Sequence, residues 1–261
     1  MFESLIVPVD GSVRSARALE VAAALARVTG SRVELFLVAP PSTDVTAEKA
    51  WLAEVAAGVD APVSAIEVVE DDSVVDAIAD LQRAHPRSLV VLGTHARTGA
   101  SELFLGGYAG EVLRFATRPV LLVGPKAEVP ASFEAVEVCV DGSDESLAIL
   151  PAAEAFASRV GGRISVVEVL DPAFAGRPDE ANTVESAAAR IRRESDLHVE
   201  WEVLHGRDVP GAIVDHASRL PASVLAMATH GRTNAKGRLL GSVAVRVAHD
   251  APMPVLVARA R

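Results

Sequence analysis

The sequence contains an internal repeat, and this feature limits the folds open to the chain more than any other. Val7–Ser12 (VPVDGS) recurs as Val138–Ser143 (VCVDGS), at an offset of 131 residues. Pro119–Val123 (PVLLV) recurs as Pro254–Val257 (PVLV), at an offset of 135 residues. The second copy therefore gains four residues, which fall in a variable segment at 171–196. A chain with two such copies is predicted to form two similar domains.

The predicted domains are residues 1–126 and 132–261. They meet near 125–130 (PKAEVP), where prolines and charged residues interrupt the apolar pattern. Within each copy, short β-branched segments alternate with longer segments of helical periodicity, which is typical of βαβ units around a parallel sheet. We therefore predict an α/β fold with two tandem, doubly wound domains.

Five strands are predicted in the first copy, and several are apolar on both faces, as a sheet covered by helices on both sides requires. These strands are Leu5–Val9, Arg32–Val38, Val63–Val69, Ser88–Gly93 and Pro119–Val123. Apolar residues at helical spacing follow the first strand, and Gly30 is suited to end this helix in a left-handed conformation. In the second copy, the equivalent helix is predicted over 145–160, with Gly161 after it.

Composition and charge disfavour several classes of protein. Hydrophobic residues make up 50% of the chain, which is enough to build a core, and the net charge of −10 disfavours a nucleic-acid binder with a large basic surface. No apolar segment approaches the roughly 18 residues of a membrane-spanning helix, and the N-terminal residues lack the features of a secretory signal. The lone cysteine, Cys139, is predicted to be an inert thiol in a buried strand. We expect a cytoplasmic protein.

The first candidate site is a turn that follows the first strand of each copy. It is Asp10–Ser12 in the first copy and Asp141–Ser143 in the second, and both read Asp-Gly-Ser. In open parallel sheets, ligands bind beyond the carboxyl ends of the strands, where these turns are expected. A helix cap, in which Asp or Ser accepts backbone hydrogen bonds and Gly relieves the backbone, is the simpler explanation for one copy alone. Both interpretations stay open.

The second candidate site is the loop after the fourth strand, at 93–107 and 228–242. Its small residues would let backbone N–H groups converge on a phosphate, and the helix that follows would direct its first N–H groups to the same place. Arg97, Arg232 and Lys236 add positive charge to these loops, although ordinary solvent-exposed charge explains each of them equally well.

A third candidate is the end of the second strand. Val38, or Val169 in the second copy, would flank a flat base there. An ordinary core valine is the simpler interpretation.

The Ile6–Ser12 segment, the loops with His95 and His230 and the closing Pro-Val-Leu-Val strand resemble the universal stress protein family, over nearly the whole chain as a tandem arrangement. The resemblance implies a Rossmann-like, adenine nucleotide alpha hydrolase-like fold with strand order 3-2-1-4-5 in each domain. It also implies an ATP site, with or without Mg²⁺, in which the Asp and Val side chains contact adenosine and the glycine loop holds the phosphates. The residues implied in the first copy are Pro8, Val9, Asp10, Gly11, Ser12, Val38, Gly93, His95, Ala96, Arg97, Gly106, Gly107 and Tyr108. Those implied in the second copy are Val140, Asp141, Gly142, Ser143, Val169, Ala228, His230, Gly231, Arg232, Gly241, Ser242 and Val243.

Neither copy matches the full G-x2-G-x9-G-[S/T] motif of the ATP-binding members. The first copy has Ala96 in place of the second glycine and Gly107 in place of the hydroxyl residue. The second copy lacks only the first glycine, which is Ala228, and it keeps Gly241 and Ser242. A methyl group at 96 matters most if that position requires a positive φ or lies against phosphate. We therefore predict that both domains bind nucleotide and that the second binds it more tightly.

Three functions stay open on the sequence. The resemblance implies a nucleotide-binding regulatory protein of the stress response, without strong catalytic activity and with an unknown protein partner. The alternatives are a slow ATPase that uses His95 or His230 as a base, and a scaffold or dimerisation protein that has lost its ligand. The sequence has neither a P-loop motif nor Cys and His residues at metal-ligand spacing, so neither a P-loop enzyme nor a metal site is predicted.

The closing strands predict how the domains assemble. Residues 120–123 and 255–258 are expected to be apolar edge strands, and such edges are usually paired or covered. In the family, two domains pair through these strands about a two-fold axis. The tandem copies are therefore expected to form a pseudo-dimer within one chain, and a homodimer of chains is expected in addition. No nucleic-acid or membrane partner is expected.

Overall fold

The computed structural model of the chain describes residues 2–40, 43–71, 73–96, 105–106, 109–219, 223–229 and 241–259. The first half contains β1 (Ser4–Pro8), α1 (Val13–Thr29), β2 (Arg32–Ala39), α2 (Val45–Ala57), β3 (Val63–Glu70), α3 (Val74–Ala84), β4 (Ser88–Gly93), β5 (His95–Ala96), β6 (Leu105–Gly106), α4 (Ala109–Phe115) and β7 (Val120–Val123). The second half contains β8 (Ala135–Cys139), α5 (Asp144–Leu147), α6 (Leu150–Val160), β9 (Arg163–Leu170), a 3-10 turn (Pro172–Phe174), α7 (Asn182–Glu194), β10 (Val199–His205), α8 (Val209–Ala217), β11 (Ser223–Ala228), α9 (Ser242–Asp250) and β12 (Val255–Ala258).

Ten of the strands form one sheet, in the order β10-β9-β8-β11-β12-β7-β4-β1-β2-β3. Each half contributes five parallel strands in the predicted order 3-2-1-4-5, and helices cover both faces of the sheet. The predicted α/β fold is therefore confirmed. Within the described ranges, no helix is both long and apolar enough to cross a membrane.

The two halves join through β7 and β12, which pair antiparallel in the middle of the sheet. Leu121 lies opposite Leu256, and these two residues are equivalents in the repeat. An approximate two-fold axis therefore passes between them, and the predicted pairing of the closing strands occurs within the chain. Because the direction of the strands reverses at this junction, the carboxyl ends of the two halves lie at opposite edges of the sheet.

The first long helix, α1, begins and ends where the sequence predicts. Ser12 caps its N-terminus by accepting a hydrogen bond from the N–H of Ser15, and Gly30 ends it with a φ of 68°. α6 ends in the same way at Gly161, with a φ of 69°. Both glycines adopt the left-handed conformation that favours this residue.

The prediction of one continuous helix over 145–160 is wrong, because the structure divides this segment into α5 and α6. Pro151 lies at the start of α6, where the first copy has Glu20. Proline has no N–H to donate to the carbonyl of Leu147, and its ring crowds that carbonyl. The helix therefore breaks before Pro151 and starts again at Leu150.

The segment that joins the halves is held by hydrogen bonds to both of them. Arg17 Nη1 in α1 donates to the carbonyl oxygen of Ala127 at 2.9 Å. The N–H of Glu128 donates to the carbonyl oxygen of Pro252 at 3.0 Å. Ala127 is fully buried, so this connection is part of the core and not a free linker.

The start of the same segment lies against the end of α9. Lys126 Nζ contacts Asp250 Oδ1 at 2.6 Å, and this contact lowers the pKa of Asp250. A Cβ on Gly124 would lie 2.1 Å from the carbonyl oxygen of Ala248. The backbone of α9 therefore leaves room only for glycine at 124.

We expect Gly124→Ala to lower the free energy of unfolding by about 2 kcal/mol, since overpacking typically costs about 1–3 kcal/mol. Gly58→Ala is the control, because a Cβ there would lie 3.5 Å from the nearest backbone oxygen, at an ordinary contact distance. Urea unfolding curves of the two variants and the parent chain measure the difference. Coincident curves for Gly124→Ala and the parent would contradict the close packing of this segment on α9.

Candidate functional site

The Asp10–Ser12 turn follows β1 and is held by its own side chains. Asp10 Oδ1 accepts hydrogen bonds from the N–H of Ser12 at 3.0 Å and from the Ser12 hydroxyl at 2.5 Å. The N–H of Asp10 donates to the Ser15 hydroxyl oxygen at 3.3 Å. Gly11 has a φ of +73°, which other residues rarely adopt. The turn caps α1, as the simpler of the two sequence interpretations predicts.

The second copy repeats this geometry. Asp141 Oδ1 accepts hydrogen bonds from the N–H of Ser143 at 3.0 Å and from its hydroxyl at 2.6 Å. Gly142 has a φ of +77°. Asp141 is half-buried, whereas Asp10 is exposed. The more enclosed carboxylate is therefore the one in the second copy.

The charge state of Asp10 suits it to accept hydrogen bonds from a ligand. Partial burial raises the pKa of this carboxyl, but the hydrogen bonds from Ser12 and Ser15 and the nearby Arg14 outweigh burial. The pKa of Asp10 is consequently lower than its ordinary value. Near neutral pH the side chain is a carboxylate, which accepts hydrogen bonds from hydroxyl groups.

The end of β4 lies against the first turn of α1. A Cβ on Gly93 would lie 2.5 Å from the carbonyl oxygen of Arg14, so the helix could not keep this position beside a larger residue. In the second copy the equivalent residue is Ala228, at the end of β11. Strand β11 contacts the short helix α5. The first glycine of the motif therefore serves the packing of α1 on the sheet in the first copy.

Both copies bring the two ends of the long loop together. In the first copy, β5 and β6 pair antiparallel, so that His95 lies opposite Gly106. In the second copy, the N–H of Gly241 donates to the carbonyl oxygen of Thr229 at 2.5 Å. Ala96 belongs to β5 and has an extended backbone, so the alanine at this position does not require a positive φ.

The N-terminus of α9 lies directly beside the end of β11. The helix starts at Ser242 with Gly241 as its N-cap, and no side chain in the described part of the chain caps its first N–H groups. Ser242 is exposed and Val243 is half-buried. Because uncapped N–H groups and the helix dipole attract anions, this end of α9 is suited to hold a phosphate. The predicted site residues Arg97, Gly107, Tyr108, His230, Gly231 and Arg232 lie outside the described residues, as does Lys236.

The predicted apolar contacts differ in their exposure. Val38 and Val169, near the ends of β2 and β9, are half-buried and pack against the core on one face of the sheet. Pro8, Val9 and Val140 are buried, so their side chains belong to the core. Val38 and Val169 are therefore the two that keep exposed surface near a strand end.

A cavity of about 550 Å³ opens beside the turn of the first copy. Gly11 and Ser12 line one end of it, and Trp51 of α2 lines its side. Val38 and Gly93 do not line this cavity. It therefore follows the groove between α1 and α2 and does not cross the carboxyl edge of the sheet.

The sequence reasoning missed a cluster of titratable residues in the second half. Glu137, in the middle of β8, is fully buried, and its Oε2 lies 2.9 Å from His216 Nδ1. His216 Nε2 lies 3.1 Å from Glu202 Oε2. The first copy has Ile6 and Leu81 at the positions of Glu137 and His216. A single glutamate in the apolar strand AVEVC is the sequence signal that points to this cluster.

Both contacts of the His216 ring are hydrogen bonds when the three side chains share one proton beyond neutral histidine and two carboxylates. A charged His216 then donates to both carboxylates, or a protonated Glu137 donates to Nδ1 while Nε2–H donates to Glu202. Glu137 Oε1 is buried and has no hydrogen-bond partner among the described residues. Burial raises the pKa of Glu137 to about 7, against the lowering effect of His216. Burial and the nearby Glu137 also raise the pKa of the Cys139 thiol well above its ordinary value. The prediction that Cys139 is a buried thiol is confirmed.

The described residues contain no group of three or more His, Cys, Asp or Glu side chains arranged to hold a metal ion. The Glu137 cluster is held by the hydrogen bonds of His216 with Glu137 and Glu202.

Comparison with known proteins gives matches over both halves. A model of the universal stress protein family matches residues 1–124 and 132–259. A universal stress protein of Mycobacterium tuberculosis is 29% identical over 228 residues, which cover 82% of this chain and 76% of that protein. One from Methanocaldococcus jannaschii is 29% identical over 140 residues, which cover 49% of this chain and 82% of that protein. The crystal structure of a universal stress protein from Archaeoglobus fulgidus has a TM-score of 0.73 over 99% of both chains, at 21% identity.

The raised pKa of Glu137 predicts a pH-dependent stability of the second half. An acid whose pKa rises from 4.5 to about 7 on folding stabilises the fold fully below pH 4.5, and this contribution is lost as the pH rises through about 7. We expect the double variant Glu137→Ile/His216→Leu, which installs the pair of the first copy, to flatten this fall in stability. Urea unfolding at a series of pH values measures it.

Glu54→Gln, which removes an exposed carboxylate of α2, is the control and should leave the pH profile unchanged. An unaltered slope between pH 4.5 and 7 in the double variant would show that Glu137 does not titrate as the geometry requires.

Proposed function

Since the chain belongs to the universal stress protein family, we propose that it binds adenine nucleotides, ATP in particular, and acts as a nucleotide-dependent regulatory protein of the stress response. The observation that carries this proposal is the N-terminus of α9, which has no side-chain cap in the described residues and lies beside the end of β11. The Asp141 turn follows β8, the strand that neighbours β11 in the sheet. The N-terminus of α9 and the Asp141 carboxylate thus lie at the carboxyl ends of the adjacent strands β11 and β8.

Each part of the site has a role that its chemistry supports. The first N–H groups of α9 and the exposed Ser242 hydroxyl hold the phosphates. The Asp141 carboxylate accepts hydrogen bonds from the ribose hydroxyl groups. Val169 offers apolar surface to the base, and Mg²⁺ arrives with the phosphates. In the first copy, Asp10 and Val38 take the same roles.

The second copy is the tighter site in this proposal. The first copy has Gly107 where the second has Ser242, so it lacks one hydroxyl donor to the phosphates. A hydrogen bond to a charged group contributes about 1.5–3 kcal/mol, which corresponds to a difference in affinity of about tenfold or more. The first copy also has Ala96 in place of the second glycine of the motif. Because the backbone at Ala96 is extended, this replacement is expected to affect nucleotide binding less than the loss of the hydroxyl group.

Two further properties belong to the same proposal. We place the protein in the cytoplasm, because its only cysteine is buried and unpaired. We also propose that chains associate as a homodimer, whose subunits contact each other through surfaces other than β7 and β12, since those strands already pair within the chain. Light scattering at increasing concentration tests the dimer, and a constant monomer mass would contradict it.

We expect Ser242→Ala to weaken the binding of ATP to the full chain about tenfold at the tighter site, through the loss of a donor to phosphate. Ser218→Ala is the control, because Ser218 lies at the far end of α8 and its hydroxyl donates to the Val214 carbonyl. Calorimetric titration of the full chain and both variants measures affinity and stoichiometry.

The first copy provides a second arm of the same experiment. Gly107→Ser restores the hydroxyl that the motif has and should tighten the weaker site. ATP affinities that respond to neither Ser242→Ala nor Gly107→Ser would contradict the assignment of this loop to the phosphates.

A further inference from the structure

A cleft of about 480 Å³ lies where the two halves meet, away from both candidate nucleotide sites. Its wall from the first half contains Phe2, Leu89 and Pro119, at the amino ends of the strands. Its wall from the second half contains Leu256, at β12, and Phe156, on α6. The volume lies in the range of small-molecule sites, which is roughly 300–1,000 Å³.

The two-fold axis of the fold relates this cleft to an equivalent position on the other side of the junction. Thr117 and Ala148, which line the cleft, correspond in the repeat to Pro252 and Arg17. Pro252 and Arg17 are the residues that hydrogen-bond the segment at 127–128. A stretch of the chain itself therefore fills the equivalent position.

The open cleft differs from the filled one in its charge. Arg87, Arg118 and Arg259 line it, and their equivalents in the repeated sequence are Ala222, Met253 and Gly124. No Asp or Glu is among the described residues that line the cleft, although the chain as a whole has a net charge of −10. At these three positions the open cleft has arginine in place of a small or apolar residue, whereas at Ala148 the arginine, Arg17, lies on the filled side.

Two of these arginines have no carboxylate partner among the described residues. Arg118 Nη1 donates to the carbonyl oxygen of Pro86 at 2.7 Å, and Arg259 Nη1 donates to the carbonyl oxygen of Arg114. Both guanidinium groups are therefore held by backbone oxygens, and no described carboxylate pairs with them in the cleft. Arg87, in contrast, pairs with Glu3 at 2.9 Å.

We propose that this cleft binds a carboxylate carried on a linear apolar chain, such as a medium-chain fatty acid. The apolar chain lies against Pro119, Ala152 and Ala155, which keep exposed surface in the cleft. The rings of Phe2 and Phe156, packed on each other with centroids 5.8 Å apart, form part of the floor beneath it. The carboxylate meets Arg118 and Arg259. Guanidinium groups match the geometry of a carboxylate and bind it with charge-assisted hydrogen bonds. The ligand contacts both halves, so its binding stabilises the assembled chain.

Decanoate is the probe, titrated into the full chain by calorimetry and followed by thermal unfolding. We expect saturable binding with one site and a higher melting temperature. Decanol and decyltrimethylammonium have the same apolar chain with a neutral or cationic head, and they should bind at least tenfold more weakly. Equal binding of all three would overturn the role of the arginines.

Two variants locate the site. Ala152→Phe fills the cleft from α6 and should abolish decanoate binding, and Arg118→Gln should weaken it about tenfold. Arg83→Gln removes an exposed arginine of α3 and is the control for the loss of charge. Arg118 is exposed, so this variant keeps the fold even if Ala152→Phe does not.

Titration with ATP separates this site from the proposed nucleotide site, since neither variant should change ATP affinity. Decanoate affinity that is unchanged in both Ala152→Phe and Arg118→Gln would overturn the proposal. Competition between ATP and decanoate for one site would overturn it as well.

Discussion

The antiparallel pairing of β7 with β12 is the interaction on which the rest of the structure depends. All residues of both strands are buried, and either half alone would expose one of them as an apolar edge. Such an edge is open to association with other chains. Their mutual pairing removes both edges at once, and it centres the two-fold relation of the halves on Leu121 and Leu256.

The two-fold relation of the halves explains where the candidate nucleotide sites and the open cleft lie. Because the strands reverse direction at the junction, the two carboxyl edges point apart, and each candidate nucleotide site is built by one half. The amino edge of the first half then lies beside β12 and α6, where the open cleft is found. The single connection between the halves can fill only one of two equivalent positions. Covalent linkage therefore makes the pair of domains asymmetric.

The sequence predicted the elements that depend on local properties and missed those that depend on distant partners. Gly30 and Gly161 were predictable as helix ends because only glycine takes a left-handed conformation at little cost. The split between α5 and α6 was missed because the repeat favoured a copy of α1 over the effect of Pro151. The Glu137–His216 pair was missed because its members lie 79 residues apart. At the candidate site, the Asp-Gly-Ser turn was predictable from its residue types, because glycine takes the positive φ and Asp and Ser accept backbone hydrogen bonds. The approach of the two ends of the long loop became apparent only in the structure.

The sequence by itself determined the two domains, the alternation of strands and helices and the Asp-Gly-Ser turns, since repeats, apolar periodicity and turn chemistry act over short stretches of chain. The strand order was implied by the resemblance to the universal stress protein family. Tertiary structure alone decided which surfaces of the two halves meet. Glu137 retains a proton to about pH 7 only because folding removes it from water. The arginine-lined cleft exists only because the junction brings residues 87, 118 and 259 together. Burial and contact between distant residues set these properties, and neither is a property of any short segment.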